Sequence, residues 1–299
     1  MPANVLVGVD AAKLIDGVAV AKEVRAEVAR DAAALIARGV TPGLTVVLVG
    51  EDPASAVYVR AKEKACIEAG MNGKTIRLPA ETSQADLLAL IDQLNADKTV
   101  HGILVQMPVP KHIDPQAVIL RISAEKDVDG FHPVNVGRVW IGEKNGFAPC
   151  TPAGVMVMLE KAGVNVMGKN VVILGRSNIV GKPMVSLMVA ASATVTVCHS
   201  KTRDLPSVCR GADILIAAIG KPEFVKADMV KPGAVVIDVG INRVDDATNA
   251  KGYRIVGDVD FAAVSQVASK ISPVPGGVGP MTIAMLLKNT VRAATQGLA

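Results

Sequence analysis

Asn170-Val-Val-Ile-Leu-Gly175-Arg-Ser-Asn-Ile-Val-Gly181-Lys-Pro183 is the stretch on which the reading of this chain turns. Residues 171–174 form a short apolar run rich in β-branched side chains, as expected for a strand buried on both faces. Gly175 ends the run, and Gly181 precedes an apolar helical pattern over 184–190. A strand, a glycine turn and a helix N-terminus together offer unpaired N–H groups and a helix dipole to a phosphate. The glycines are spaced Gly-x-x-x-x-x-Gly rather than Gly-x-Gly-x-x-Gly. By itself the stretch is therefore equally compatible with an ordinary strand-to-helix turn in a parallel sheet.

The flanking sequence extends the pattern. Apolar runs at 194–197, 213–217 and 234–238 alternate with helical segments, which predicts a Rossmann-type unit. Its second strand ends in Cys198-His199-Ser200-Lys201-Thr202-Arg203, with no acid before Asp204. NAD-preferring sites usually place a carboxylate there for the ribose hydroxyls. This basic, hydroxylic run suits a 2′-phosphate, so NADP is expected over NAD, with Arg176 able to reach the same phosphate. A solvated basic loop is the plainer alternative.

The first half alternates in the same way. Helices are expected over 18–38, 55–69 and 84–95, and strands over 44–49, 74–78 and 102–105, implying a second parallel sheet. Residues 123–152 are rich in Pro, Gly and Asn and read as a domain boundary, followed by a helix over 153–162. Residues 242–256 are polar and irregular, suggesting a hairpin. A Pro/Gly loop spans 271–280 and a last helix 281–294. The expected architecture is α/β with two domains. Residues 1–150, completed by the C-terminal helix 281–299, form one; residues 151–280 form the other.

Composition narrows the function classes. The 299 residues are 50% hydrophobic but only 2% aromatic, and 32 basic against 28 acidic residues leave a net charge of +4. That balance, with so few aromatics to stack bases, argues against a nucleic-acid partner. Cys66, Cys150, Cys198 and Cys209 lack C-x-x-C spacing, and the four histidines make no metal-ligand pattern with them. No signal-peptide pattern opens the chain and no run approaches membrane-spanning length. A soluble cytoplasmic protein that needs no metal is expected.

Four segments carry candidate chemistry. Tyr58 and Lys62 stand four residues apart on a predicted helix, with Ser55 one turn earlier. A lysine whose pKa is lowered can exchange protons at neutral pH, although Tyr-x-x-x-Lys is also common on helices with no such role. Gln106 ends an apolar strand before Pro108-Val-Pro110. Asp127 and Asp129 lie two residues apart in a loop. Pro273-Val-Pro275-Gly276-Gly277-Val-Gly279-Pro280 is a rigid loop offering backbone amides to a planar or anionic ligand.

Taken together, these segments closely resemble the bifunctional methylenetetrahydrofolate dehydrogenase/cyclohydrolase (FolD) family. The matching stretches run from Gly50-Glu51 to the final helix and include Tyr58–Lys62, Gly102–Pro110, Lys126–Gly137, Gly175–Gly181, Val236–Asn242, Gly257-Asp258-Val259 and Pro273–Thr282. The resemblance implies an N-terminal folate domain and a C-terminal NADP domain with the active site in a cleft between them. It implies Lys62 as the central catalytic residue, Tyr58 covering the folate ring, Gln106 orienting Lys62, and Asp129 binding the pterin amino and ring N–H groups. Pro273, Gly276 and Gly277 join the folate contacts. Gly175, Arg176, Ser177, Ser200 and Ile241 line the NADP pocket. The implied reactions are hydride transfer from 5,10-methylenetetrahydrofolate to NADP⁺ and hydrolysis of the methenyl product to 10-formyltetrahydrofolate, by a homodimer.

Three rivals are less well matched. In short-chain dehydrogenases the glycine turn precedes the Tyr-Lys pair, the reverse of the order here. A shikimate- or amino-acid-dehydrogenase-like enzyme shares the domain order but leaves Gln106 and 273–280 unexplained. A non-catalytic NADP sensor has no need of Tyr58, Lys62, Gln106 and Asp129 together.

Overall fold

The computed structural model describes residues 10–249 and 251–297. In chain order the elements are α1 (Gly17–Ile36), β1 (Gly43–Val49), α2 (Pro53–Glu68), β2 (Asn72–Leu78), α3 (Gln84–Ala96), β3 (Gly102–Val105), α4 (Pro115–Arg121), α5 (Pro133–Trp140), α6 (Cys150–Lys161), β4 (Asn170–Leu174) and α7 (Gly181–Ala190). They continue with β5 (Thr194–Cys198), α8 (Leu205–Arg210), β6 (Ile214–Ala217), β7 (Val235–Asp238), β8 (Asn242–Asp245), β9 (Tyr253–Val256), α9 (Phe261–Val267), β10 (Lys270–Ile271) and α10 (Val278–Gln296). The chain divides into two units. The first is Lys22–Cys150 with Ile283–Ala299, and the second is Thr151–Thr282 with the described part of Met1–Ala21.

The first unit is built on a parallel sheet of order β2-β1-β3. Every residue of β1 is buried, as befits its central place, whereas β2 alternates in exposure as an edge strand. Leu87, Ile91 and Leu94 on α3 and Val118 on α4 pack with Val47, Ile103 and Val105 of the sheet. Residues 126–127 run beside β3: Ile103 N–H donates to Lys126 O at 2.8 Å, and Ile103 bridges Asp127 in parallel.

Two short helices lie where or near where the sequence reads as irregular. α4 and α5 each start on a side-chain cap followed by proline: Asp114 accepts from Gln116 N–H, and His132 from Val134 N–H. Proline at the first helical position lacks an N–H that the helix would leave unpaired there in any case.

The second unit holds a five-stranded parallel sheet of order β10-β7-β6-β4-β5. β4 leads to β5 on one side, and the chain then returns to β6 on the other. The order therefore reverses between β4 and β6, where doubly wound sheets open a crevice at the carboxyl ends of their strands. Leu174, Leu215, Ala217, Val236 and Ile271 share a core with Cys198, Cys209, Val259 and Val264. β8 and β9 pair as an antiparallel hairpin, with Asn242 opposite Val256. β10 and the first turn of α10 occupy parts of the expected 271–280 loop.

Candidate active site

α2 positions the first group of side chains. Asp52 caps it, with Oδ2 accepting Ser55 N–H at 2.7 Å. Ser55, Val59, Lys62, Cys66 and Ala69 form a buried stripe at helical spacing. Lys62 is thus inside the packed face, only 8% exposed, whereas Tyr58 at its edge is 45% exposed. That leaves the phenol ring open to cover a planar ligand.

β3 delivers the partner. Gln106 N–H continues the ladder to Val47 O at 2.8 Å, which places its side chain at the carboxyl end of the sheet. Lys62 Nζ donates to Gln106 Oε1 at 2.9 Å, and Gln106 Nε2 donates to Met107 O at 2.8 Å. The amide is thereby held with its oxygen toward the lysine. Asp129 shares the lining of a small cavity with Val105 and Met107 at the end of β3.

The two loop aspartates separate by their partners. Asp127 accepts backbone N–H groups of Gly130, Phe131 and His132 and the Asn135 side-chain amide, so it is consumed in folding the loop. Asp129 instead faces the Lys62 ammonium and the Cys150 thiol, which act on its charge in opposition to burial. Burial pushes its carboxyl up to about 6, against the opposing pull of Lys62. Burial likewise lowers the Lys62 ammonium, opposed by Asp129 and Cys150. The Cys150 thiol is held far above its ordinary value by burial and stays neutral. Lys62, Gln106 and Asp129 are therefore one cluster, with an amine biased toward its neutral form.

Sequence reasoning missed what braces this cluster. Cys150 Sγ donates to Val128 O at 3.4 Å, and Asn289 Nδ2 on α10 donates to Val128 O at 2.8 Å and Ala148 O at 3.2 Å. A buried asparagine within the apolar pattern of the last helix was the available signal, because buried polar groups need partners.

Gly175, Arg176, Ser177, Ser200 and Ile241, the residues expected to line an NADP pocket, all lie in the second unit. Gly175 has φ +113°, and a Cβ there would lie 2.1 Å from Ala218 O; a Cβ on Gly181 would lie 2.2 Å from Gly175 O. The two glycines are thus required by close backbone approach, giving a cradle with no side chain in its floor. Ser177 Oγ accepts N–H of Val180 and Gly181 and tightens the entry to α7. Leu174 pairs with Cys198 across β4 and β5. Arg176 and Ser200, each two residues further on, stand at the carboxyl ends of adjacent strands and are exposed. Ile241 is 51% exposed in the turn after β7. This cradle, with Arg176 and Ser200 beside it, fits a dinucleotide phosphate.

Pro273, Gly276 and Gly277 also belong to the second unit. Gly276 O accepts Val18 N–H at 3.1 Å, and a Cβ on Gly277 would meet Pro273 O at 2.4 Å. Among the described residues no cluster of His, Cys, Asp or Glu could hold a metal ion.

Family profiles cover both units. Residues 15–129 match the tetrahydrofolate dehydrogenase/cyclohydrolase catalytic domain, and 149–298 match the NAD(P)-binding domain of the same family. The chain belongs to this family. It is 62% identical over 283 residues to the bifunctional protein FolD of Moorella thermoacetica, covering 95% of this chain and 99% of that protein. Among solved structures, the FolD methylenetetrahydrofolate dehydrogenase/cyclohydrolase of Campylobacter jejuni is 49% identical with a TM-score of 0.91, over 95% of this chain and 98% of that one. The Trypanosoma brucei FolD, solved with NADP cofactor and inhibitor, is 43% identical with a TM-score of 0.91 over the same shares. The expected FolD family and two-domain α/β fold are borne out, and a shikimate- or amino-acid-dehydrogenase-like reading is not favoured. Sequence pattern gave no role to two carboxylates of the NAD(P)-binding unit, Asp238 and Asp258; both are buried, at 2% and 0% exposure.

Proposed function

We propose that Lys62, Tyr58, Gln106 and Asp129 carry the two reactions of this FolD-family enzyme. It oxidises 5,10-methylenetetrahydrofolate to the methenyl compound and hydrolyses that to 10-formyltetrahydrofolate, using NADP. The observation that carries the assignment of residues is the buried Lys62, hydrogen-bonded to Gln106 and coupled to Asp129.

Bound NADP⁺ supplies the hydride acceptor. Gly175, Arg176, Ser177, Ser200 and Ile241 hold it, Arg176 and Ser200 taking the 2′-phosphate. Asp129 accepts from the pterin amino and ring N–H groups, Tyr58 lies over the ring, and Pro273, Gly276 and Gly277 add backbone contacts to the folate.

As positive charge develops on the one-carbon bridge, a charged ammonium beside it opposes the reaction. Burial of Lys62 lowers its pKa and so weakens that opposition. In the hydrolysis, water oxygen bonds to the methenyl carbon and Lys62 takes the released proton. The carbon–N5 bond then breaks: its electron pair goes to N5, which takes up a proton, while the hydroxyl becomes the formyl C=O and gives up its own proton, so that one proton is released overall. Gln106 keeps the lysine aimed throughout. Membership of the family further supports a homodimer acting in the cytoplasm. Among the described residues no helix is long and apolar enough to cross a membrane.

The test is Lys62→Met, followed by NADPH absorbance with methylenetetrahydrofolate and by decay of added methenyltetrahydrofolate. Hydrolysis should vanish and oxidation fall severely. Retention of most hydrolysis would overturn the role given to Lys62.

A further inference from the structure

Asp258 and Asp238 form a relay of buried carboxylates that the chemistry above does not use. Asp258 Oδ2 accepts N–H of Ile219 at 2.7 Å and Gly220 at 3.0 Å, and its Oδ1 accepts Lys221 N–H and Asn242 Nδ2, each at 2.9 Å. Three consecutive backbone N–H groups thus converge on one side chain. Asp238, at the end of β7, sits behind it. Its Oδ1 accepts N–H of Gly240 at 3.0 Å and Asp258 at 2.9 Å, and its Oδ2 accepts Val259 N–H at 2.9 Å.

The approach of carboxylate to backbone is too close for any other residue. A Cβ on Gly240 would fall 2.3 Å from the Asp258 carboxyl, and one on Gly257 would fall 1.8 Å from Asp238 Oδ2. The turn after β6, the turn after β7 and the exit of β9 are therefore one hydrogen-bonded assembly.

Its place in the sheet gives it a task. The turn after β6 abuts the Gly175 turn, since Ala218 O occupies the space where a Gly175 Cβ would stand. β4 and β6 flank the reversal in strand order, so residues 218–221 make the second wall of the crevice whose first wall is the Gly175–Ser177 turn. Ile241 lies in the segment that Asp258 ties down through Asn242.

We infer that Asp258, held by Asp238, is a positioning residue for NADP: it sets the distance between the two walls of the dinucleotide crevice without itself touching the ligand. A carboxylate is needed because four N–H donors face it. An amide in its place has one acceptor oxygen and turns its own N–H groups toward two of those donors. The inference rests on the reading that the Gly175–Ser177 turn takes the dinucleotide.

The experiment compares Asp258→Asn, Asn242→Ala and Arg176→Ala by calorimetric titration of the folate-free enzyme with NADP⁺, alongside hydrolysis of added methenyltetrahydrofolate. Asp258→Asn should raise the NADP⁺ Kd by about tenfold or more while hydrolysis changes less than about twofold. Asn242→Ala, which removes one donor and leaves the carboxylate, should raise Kd by roughly threefold and serves if Asp258→Asn does not fold. An unchanged Kd in both, with Arg176→Ala weakened, overturns the inference alone. Equal loss of binding and hydrolysis in Asp258→Asn overturns it too, because the defect is then global. If Arg176→Ala also leaves Kd unchanged, the reading of the glycine turn fails instead.

Discussion

The Lys62 side-chain nitrogen donates to Gln106 Oε1 at 2.9 Å, joining the helix after β1 to the end of β3. The neutral amide lets burial depress the lysine. Gln106→Glu puts a negative charge in its place, which favours the ammonium and raises its pKa. The rising limb of the pH–rate profile for hydrolysis should move to higher pH by a similar amount. An unmoved limb would mean that Lys62 is not the group titrating in it.

Asp129 offers a test of opposite sign. Its carboxyl is raised to about 6 from an ordinary 3.8. As the acceptor for pterin N–H groups it must be ionised, so folate affinity should fall as pH drops through about 6. In Asp129→Asn that pH dependence should be absent and affinity weaker throughout. A raised folded pKa contributes stability that is present below 3.8 and lost as pH rises toward about 6. Denaturant unfolding across that window should show the decline in the parent and a shallower one in the variant.

Arg176 stands exposed in the glycine turn, two residues beyond the Leu174–Cys198 pairing. Arg176→Ala should raise KM for NADP⁺ by about 10- to 100-fold, the loss of a charge-assisted phosphate contact, and KM for NAD⁺ by no more than about threefold. Equal losses for the two dinucleotides would show that Arg176 does not read the 2′-phosphate.

Gly175 and Gly163 both have positive φ, +113° and +70°, but only Gly175 faces backbone, with Ala218 O 2.1 Å from its Cβ position; Gly163 has open space. Gly163→Ala should cost about 1 kcal/mol of stability from backbone conformation alone. Gly175→Ala should cost at least ~2 kcal/mol more and weaken NADP⁺, because the β4 and β6 turns must part. Urea unfolding of the two variants separates strain from collision.

Local sequence determined much of this molecule. The runs at 102–105, 171–174 and 194–197 became strands within a residue of their expected bounds: the first two because burial on both faces demands unbroken β-branched and aliphatic side chains, the third as a β-branched edge strand left largely exposed. The i, i+4 spacing of Tyr58 and Lys62 and the glycines at 175 and 181 were equally legible, being set by helix pitch and turn geometry. Sequence did not disclose α4 and α5, whose side-chain and proline caps are brief signals amid loop residues. Spacing alone did not separate Asp127 from Asp129; the family resemblance singled out Asp129, and the fold gives the physical reason, spending the first on three backbone N–H groups and leaving the second to face Lys62. Asn289 bracing Val128, 161 residues away, and Asp258 gathering the 219–221 turn likewise exist only once distant segments meet. A buried polar group is defined by what surrounds it, and its surroundings are a property of tertiary packing.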